Sequence, residues 1–162
     1  MKRIALTLAI AAIAVTAVTA VAPGAHAIGV YGIYWNPKVD QADNGYGAGL
    51  KYDSKLTPFI HLDGRFSYIH FSNDAGSSSI IPFEATACVQ MGTLYGGVGV
   101  GYYTFGGDNA PDNDFGWYLL AGISILPGPV SVFGEFKWQN LEPADNLDLE
   151  SYVFHVGATF GK

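Results

Sequence analysis

Eight segments of this chain alternate between apolar residues on one side and glycine, polar or charged residues on the other. A period of two is typical of β-strands, because successive side chains of a strand point to opposite faces. The segments predict strands at Ile28–Asn36, Gly45–Asp53, Phe59–Phe71, Ile80–Met91, Thr93–Phe105, Phe115–Leu126, Val130–Gln139 and Leu149–Phe160. Most are longer than the strands of globular proteins, and their length matches what a tilted strand needs to cross a bilayer.

The charged residues inside these strands indicate which face points where. In the third segment, Leu62 and Phe66 alternate with Asp63 and Arg65. A soluble barrel would bury the apolar face and expose the charges. Here the mid-strand charges have both signs, and the same face carries glycines that suit a narrow eight-stranded lumen. We therefore predict a transmembrane barrel with a lumen charge network of Lys51, Asp63, Arg65, Glu84, Glu135 and Lys137.

Such a network can be a fixed plug, or a gate that opens when ion pairs exchange partners. We expect the plug, because buried charges are stabilised by pairing. Cys88 is expected to point into the same lumen as an unpaired thiol. His61 and His155 are expected to be satisfied lumen groups rather than metal ligands.

The connections between the predicted strands alternate in length. Residues 53–58, 91–93 and 127–129 form short turns, whereas longer polar stretches cover Pro37–Asn44, Ser72–Ser79, Gly106–Asp114 and Asn140–Asp148. Outer-membrane barrels have this asymmetry, with short periplasmic turns and longer outside loops. Aromatic residues near strand ends are expected to form girdles at the membrane interfaces. These are Trp35, Tyr52, Tyr102, Trp117, Trp138 and Tyr152.

The first 27 residues are typical of a secretory signal peptide. Lys2 and Arg3 precede an apolar run over Ile4–Ala22, and Ala25-His26-Ala27 matches a signal peptidase site. A transmembrane anchor is the alternative, but a Pro-Gly pair breaks the run beside the cleavage site. Cleavage after Ala27 would leave a single barrel domain, residues 28–162.

Composition excludes several classes of function. The chain has 8 Lys and Arg against 14 Asp and Glu, whereas nucleic-acid binding requires a basic surface. A single cysteine excludes a disulfide framework or a multi-cysteine metal centre. No cofactor is expected.

Most of the acidic residues fall in the long connections. Nine of the 14 are Asp40, Asp43, Asp74, Asp108, Asp112, Asp114, Glu142, Asp145 and Asp148. Asp108, Asp112 and Asp114 offer hard oxygen ligands for Ca²⁺, but the spacing is not that of an EF-hand. We expect a solvated, self-repelling outer surface, with divalent bridges to lipopolysaccharide phosphates as an intermediate hypothesis.

The chain resembles the small eight-stranded outer-membrane barrels of the OmpA/OmpX-like group. The resemblance covers residues 28–162 and includes the glycine-aromatic run over 97–102 and the closing strand 153–160, although Phe160 is not the last residue. It implies a monomeric or weakly oligomeric outer-membrane protein with a plugged lumen, a structural, envelope-integrity or surface-interaction role and at most a narrow channel. The implied partners are outer-membrane lipids, lipopolysaccharide and the barrel-assembly machinery.

Two alternatives remain open. The motif His70-Phe71-Ser72-Asn73 followed by Glu84 is similar to that of the lipid A 3-O-deacylases, which are also eight-stranded barrels. That resemblance implies His70 as base, Ser72 as nucleophile, Asn73 as oxyanion donor and Glu84 as orienting acid. The predicted alternation of inward and outward residues, however, places His70 and Glu84 on opposite faces of the sheet. We therefore do not expect this chain to be an enzyme. The other alternative is a soluble periplasmic ligand-binding barrel.

Overall fold

The computed structural model describes residues 26–38, 44–73, 76–107, 113–125, 129–141 and 149–161. They form eight strands, β1 (His26–Pro37), β2 (Gly45–Lys55), β3 (Ile60–Asn73), β4 (Gly76–Met91), β5 (Leu94–Gly106), β6 (Asp114–Ile125), β7 (Val130–Leu141) and β8 (Leu149–Gly161). Among these residues, no helix is long and apolar enough to cross a membrane. Residues 1–25 of the predicted signal peptide lie outside the described residues, and β1 begins two residues before the expected mature start at Ile28.

The strands close into a single barrel. Each strand pairs antiparallel with its neighbours in chain order, and β1 also pairs with β8. Following paired residues once around the barrel from Ala27 leads to Pro37, which is a register shift of ten residues. Strand number and register shift together fix the tilt and the diameter, and eight strands enclose a narrow interior that side chains can largely fill. The predicted eight-stranded antiparallel barrel is confirmed.

The two ends of the barrel differ in their connections. Residues 56–59, 92–93 and 126–129 connect strands at one end, called here the turn end, where β1 starts and β8 finishes. Residues 38–44, 107–113 and 142–148 connect strands at the opposite end, called here the loop end. In the two-residue turn between β4 and β5, Gly92 has a φ of 64°, a left-handed conformation that glycine adopts at little cost.

The predicted long connection over Ser72–Ser79 is wrong. β3 continues to Asn73 and β4 starts at Gly76, and these two residues pair with each other. The hairpin therefore extends at the loop end past Phe71, the last residue of β3 that pairs with β2. Backbone pairing between two strands needs no apolar alternation, so a serine-rich sequence can continue a strand while looking like a polar loop.

Apolar side chains cover the outside of the barrel. Val156 and Val100 are 68% and 61% exposed, and their neighbours on the outward face are mostly aliphatic or aromatic. The buried polar and charged side chains include Lys51, His61, Asp63, Arg65, Ser67, Glu84, Thr86, Glu135, Lys137, Gln139 and His155. This distribution is the reverse of that in a soluble barrel, whose charges face water.

Candidate functional site

Six charged side chains from four strands meet inside the barrel. They are the predicted network residues Lys51, Asp63, Arg65, Glu84, Glu135 and Lys137, called here the lumen charge cluster. None of them is more than 6% exposed. The register brings them together although they are spread along most of the chain, since Lys51, Arg65 and Glu84 occupy directly paired positions on β2, β3 and β4.

Glu135 is the centre of this cluster. Its Oε1 accepts hydrogen bonds from Arg65 Nη2 at 3.0 Å, Lys51 Nζ at 3.2 Å and the Tyr95 hydroxyl at 2.7 Å. Its Oε2 pairs with Arg65 Nη1 and lies 3.1 Å from Nδ1 of His155. Both oxygens therefore have at least two partners, which a carboxylate removed from water requires.

The remaining charges of the cluster are also paired. Arg65 forms a bidentate ion pair with Asp63, in which Nε donates to Oδ1 at 2.7 Å and Nη2 donates to Oδ2 at 2.8 Å. Lys137 donates to Glu84 Oε1, and the Tyr103 hydroxyl donates to the same oxygen at 2.8 Å. Paired contacts of this kind are the strong form of charged hydrogen bond and offset the cost of burial.

Tyrosines inside the barrel form a set of site residues that the sequence analysis missed. The hydroxyl of Tyr118 lies 2.7 Å from Thr86 Oγ1, and that of Tyr31 lies 2.8 Å from Ser67 Oγ. Together with Tyr95 and Tyr103, they link polar groups on different strands. The signal was available for Tyr95 and Tyr103, which share the face of β5 that carries the glycines.

The inward glycines make space for these rings. A Cβ atom added at Gly99 would overlap the Tyr118 ring, and one added at Gly49 would lie 2.5 Å from Cζ of Tyr31. Since real Cβ atoms do not approach this closely, a larger residue at either position would displace its tyrosine. The inward glycines and the large tyrosine rings therefore pack against each other to fill the narrow lumen.

Apolar side chains gather inside the barrel toward the loop end. This group, called here the apolar cap, consists of Trp35, Ile69, Phe71, Ile80, Tyr103 and Leu141. Trp35 packs edge-on against Phe71 and Tyr103, with ring centroids 6.1 Å and 6.3 Å away. The predicted interface role of Trp35 is therefore wrong, because its side chain points inward and is only 3% exposed. β1 carries apolar residues on both faces near this end, so alternation does not distinguish inside from outside there.

The other predicted interface aromatics lie on the outward face. The Trp117 and Trp138 rings are 5.0 Å apart in an edge-to-face contact. Tyr102 packs against Phe115, Tyr152 against Phe136, and Tyr52 against His26. Tyr52 is near the turn end, whereas the other four are nearer the loop end. Aromatic side chains at these two levels are consistent with interface girdles.

A cavity of about 110 Å³ opens at the turn end. Exposed Lys55 and half-buried Gln90 lie at its mouth, and Lys51, Asp63 and Cys88 lie deeper. The thiol of Cys88 is 3.9 Å from Oδ2 of Asp63. His61, which also lines the cavity, has its Nδ1 3.1 Å from Oδ1 of Asp53.

The hydrolase-like motif is not assembled in the described structure. His70 is on the outward face of β3 and pairs with Ser79, whereas Glu84 is on the inward face of β4 and binds Lys137. The side chains of Ser72 and Asn73 lie outside the described residues. A base and its orienting acid must be in hydrogen-bond reach, and these two groups are on opposite sides of the sheet.

Of the three aspartates that form the weak candidate Ca²⁺ site, only Asp114 is among the described residues. Asp108 and Asp112 lie outside the described residues, as do the other acids of the long connections except Asp114. Asp114 begins β6, and its Oδ1 accepts a hydrogen bond from the backbone N–H of Phe115 at 2.7 Å. Within the part of the chain that is described, no three His, Cys, Asp or Glu side chains are placed to share a metal ion.

Comparison with known proteins gives structural neighbours but no sequence relatives. No protein-family model matches the chain. No curated protein matches it either.

The structural neighbours are outer-membrane barrels. Ail, the attachment invasion locus protein of Yersinia pestis, aligns with a TM-score of 0.60 at 17% identity over 86% of this chain and 99% of its own. Neisserial surface protein A aligns with a TM-score of 0.65 at 10% identity, covering 84% and 95%. The outer membrane protein OprG of Pseudomonas aeruginosa gives 0.53 at 13% identity, covering 86% and 96%. The chain has the fold of the small eight-stranded outer-membrane β-barrels.

Proposed function

We propose that this chain is an integral outer-membrane protein without enzymatic activity, with a structural or surface-interaction role in the envelope. The observation that carries the proposal is the reversed distribution of side chains, with ion pairs inside and an apolar surface outside. In a bilayer all backbone hydrogen bonds must be made within the protein, and a closed barrel meets that requirement. A soluble protein rarely exposes an apolar surface of this extent.

Membrane extraction tests this proposal. The exported protein should stay with the membrane fraction through washes with salt and carbonate and should enter solution only with detergent. On a gel, the unheated sample should migrate differently from the heated one, because a barrel rich in paired strands resists unfolding by detergent alone. Extraction by plain buffer would instead favour the soluble periplasmic barrel.

We propose further that the interior is closed to the passage of solutes. The lumen charge cluster and the apolar cap succeed each other along the barrel, and Tyr103, Tyr118 and Val153 have no exposed surface. Purified protein in planar bilayers should therefore give small currents or none. Steady, large conductance steps would contradict a closed interior, and a matched Trp117→Ala variant, altered only on the outside, should behave like the unchanged protein.

The hydrolase alternative predicts a change in lipid A. Because His70 and Glu84 face opposite sides of the sheet, we expect overexpression to leave the lipid A mass spectrum unchanged. We also expect Ser72→Ala to be indistinguishable from the unchanged protein. Loss of one acyl chain on overexpression, abolished by Ser72→Ala, would establish the hydrolase and refute a purely structural role.

Export would use the signal peptide with cleavage after Ala27, and insertion would use the barrel-assembly machinery. The outward surface would contact membrane lipids, and the acidic connections at the loop end would face the outside, next to lipopolysaccharide. We expect a monomer, because a closed barrel has no free strand edge through which copies could pair.

A further inference from the structure

The cavity at the turn end and the apolar cap occupy opposite ends of the barrel interior, with the lumen charge cluster between them. We propose that the interior is a blind vestibule, which small hydrophilic molecules of either charge enter from the turn end and which ends at the lumen charge cluster. This inference rests on the proposed closed interior. Under the proposed function, the turn end faces the periplasm.

The size and lining of the cavity support an aqueous vestibule. Its volume of about 110 Å³ is several times the roughly 10–15 Å³ needed to hold one water molecule. Polar side chains line it from the mouth at Lys55 and Gln90 to the buried Lys51 and Asp63. A site that is both roomy and polar is one that water and small polar solutes occupy.

The inner end of the vestibule is formed by fixed contacts. Lys51 Nζ lies 3.2 Å from Glu135 and 3.4 Å from Asp63, and Arg65 joins those two carboxylates. Farther toward the loop end, Tyr118 has no exposed surface. A solute that enters from the turn end would have to separate these ion pairs to go farther, which is costly because it leaves buried charges unpaired.

The charges that line the vestibule balance. Lys51 and Lys55 stand beside Asp53 and Asp63, and the Asp53 side chain retains 19% of its exposure. Neither sign dominates, so the lining should not exclude molecules of one charge. We therefore expect a cationic and an anionic probe of equal size to react in the vestibule at rates within about threefold, well below the tenfold or more that a single-sign cleft produces.

The thiol of Cys88 lines the vestibule, so its labelling measures whether reagents enter. Three engineered cysteines test other positions along the barrel. Gln90→Cys lies nearer the mouth on the same face of β4. Val153→Cys lies in β8, two residues beyond His155 toward the loop end, where the side chain is fully buried. Lys38→Cys is exposed at the loop end. Each engineered cysteine is made with Cys88→Ser, so that every protein has one thiol.

The experiment uses the full exported chain in sealed phospholipid vesicles. Both described termini are at the turn end, so protease cleavage of a C-terminal tag measures the fraction of molecules with that end outside. Small, membrane-impermeant methanethiosulfonates, one cationic and one anionic, are added outside, and labelling is read by mass spectrometry. Denatured samples of every variant should label completely, which shows that each thiol is intact and able to react once it is exposed.

We expect both reagents to label Cys88 and Gln90→Cys. The labelled fraction should equal the fraction of molecules whose tag is cleaved, since those molecules have the turn end outside. Lys38→Cys should label in the complementary fraction, and Val153→Cys should not label. Labelling of Val153→Cys from the turn end would overturn the blind end. Labelling by only one of the two reagents would overturn the proposal that the vestibule admits molecules of either charge.

Failure of the vestibule and failure of the closed interior give different results. If neither Cys88 nor Gln90→Cys labels while Lys38→Cys does, the vestibule is refuted and the closed interior stands. If Cys88 labels in the fraction with the loop end outside, solutes pass through the barrel, and the closed interior itself is refuted.

Discussion

Glu135→Ala is expected to lower the free energy of unfolding by about 3–5 kcal/mol, the range for removing one partner from a buried ion pair. Arg65 and Lys51 would lose the carboxylate that both contact, and Tyr95 and His155 would each lose a hydrogen-bond partner. The loss is large because the two cations stay buried without that partner. Urea titration of protein refolded in phospholipid vesicles, followed by tryptophan fluorescence, measures the change.

The chain offers a matched control at its surface. Glu150 pairs with Lys38 near the loop end, where the two side chains are 35% and 40% exposed. Glu150→Ala should therefore have a much smaller effect than Glu135→Ala, because exposed ion pairs contribute little to stability. If Glu135→Ala does not fold, Glu135→Gln, which keeps the shape of the side chain, should give a measurable intermediate loss. Equal effects at positions 135 and 150 would refute the central role of Glu135.

Gly157→Ala is expected to prevent normal closure of the barrel or to destabilise it by at least about 1–3 kcal/mol, the usual cost of overpacking. Gly157 of β8 faces Tyr31 of β1 at the seam that closes the barrel. A Cβ atom there would overlap the backbone oxygen of Val30 and lie 2.6 Å from Cβ of Tyr31. Backbone atoms cannot rotate away as a side chain can, so β1 and β8 would have to separate.

Gly32→Ala is the control at the same seam. Its added Cβ would lie 3.9 Å from the Val156 oxygen, an ordinary contact distance. Gly64→Ala, where nothing lies within 4 Å of the added atom, controls for glycine replacement elsewhere in the wall. The folded fraction is read from the heat-dependent gel shift after refolding. Equal folding of Gly157→Ala and Gly32→Ala would show that the close approach of the strands is not required.

The sequence predicts the barrel wall well because the physical signal is local. In β5, glycine and valine alternate over 97–101, and the requirement for one apolar and one small or polar face leaves a single phase. The signal disappears where the interior itself is apolar. Trp35 lies in such a region, and its inward position depends on Phe71 and Tyr103 from other strands.

The ion pairs inside the lumen cannot be predicted from local sequence in the same way. Arg65 and Glu135 are 70 positions apart, and their contact depends on the summed register of several strand pairs. The alternation indicates that each points inward, but a shift of two residues in one pairing would keep that direction and change every partner. The sequence can therefore predict which side chains enter the lumen, whereas the identity of each ion pair needs the closed structure.

The register shift of ten residues has a consequence for how such a chain can change over time. Inserting one residue within a strand would turn the following side chains of that strand to the other face unless a bulge absorbed it, so we expect length changes inside the wall to be poorly tolerated. Length changes between strands leave all eight pairings untouched. The connections at the loop end can therefore be lengthened, shortened or replaced while the wall keeps its stability, and new binding specificities can be grafted there onto an unchanged frame.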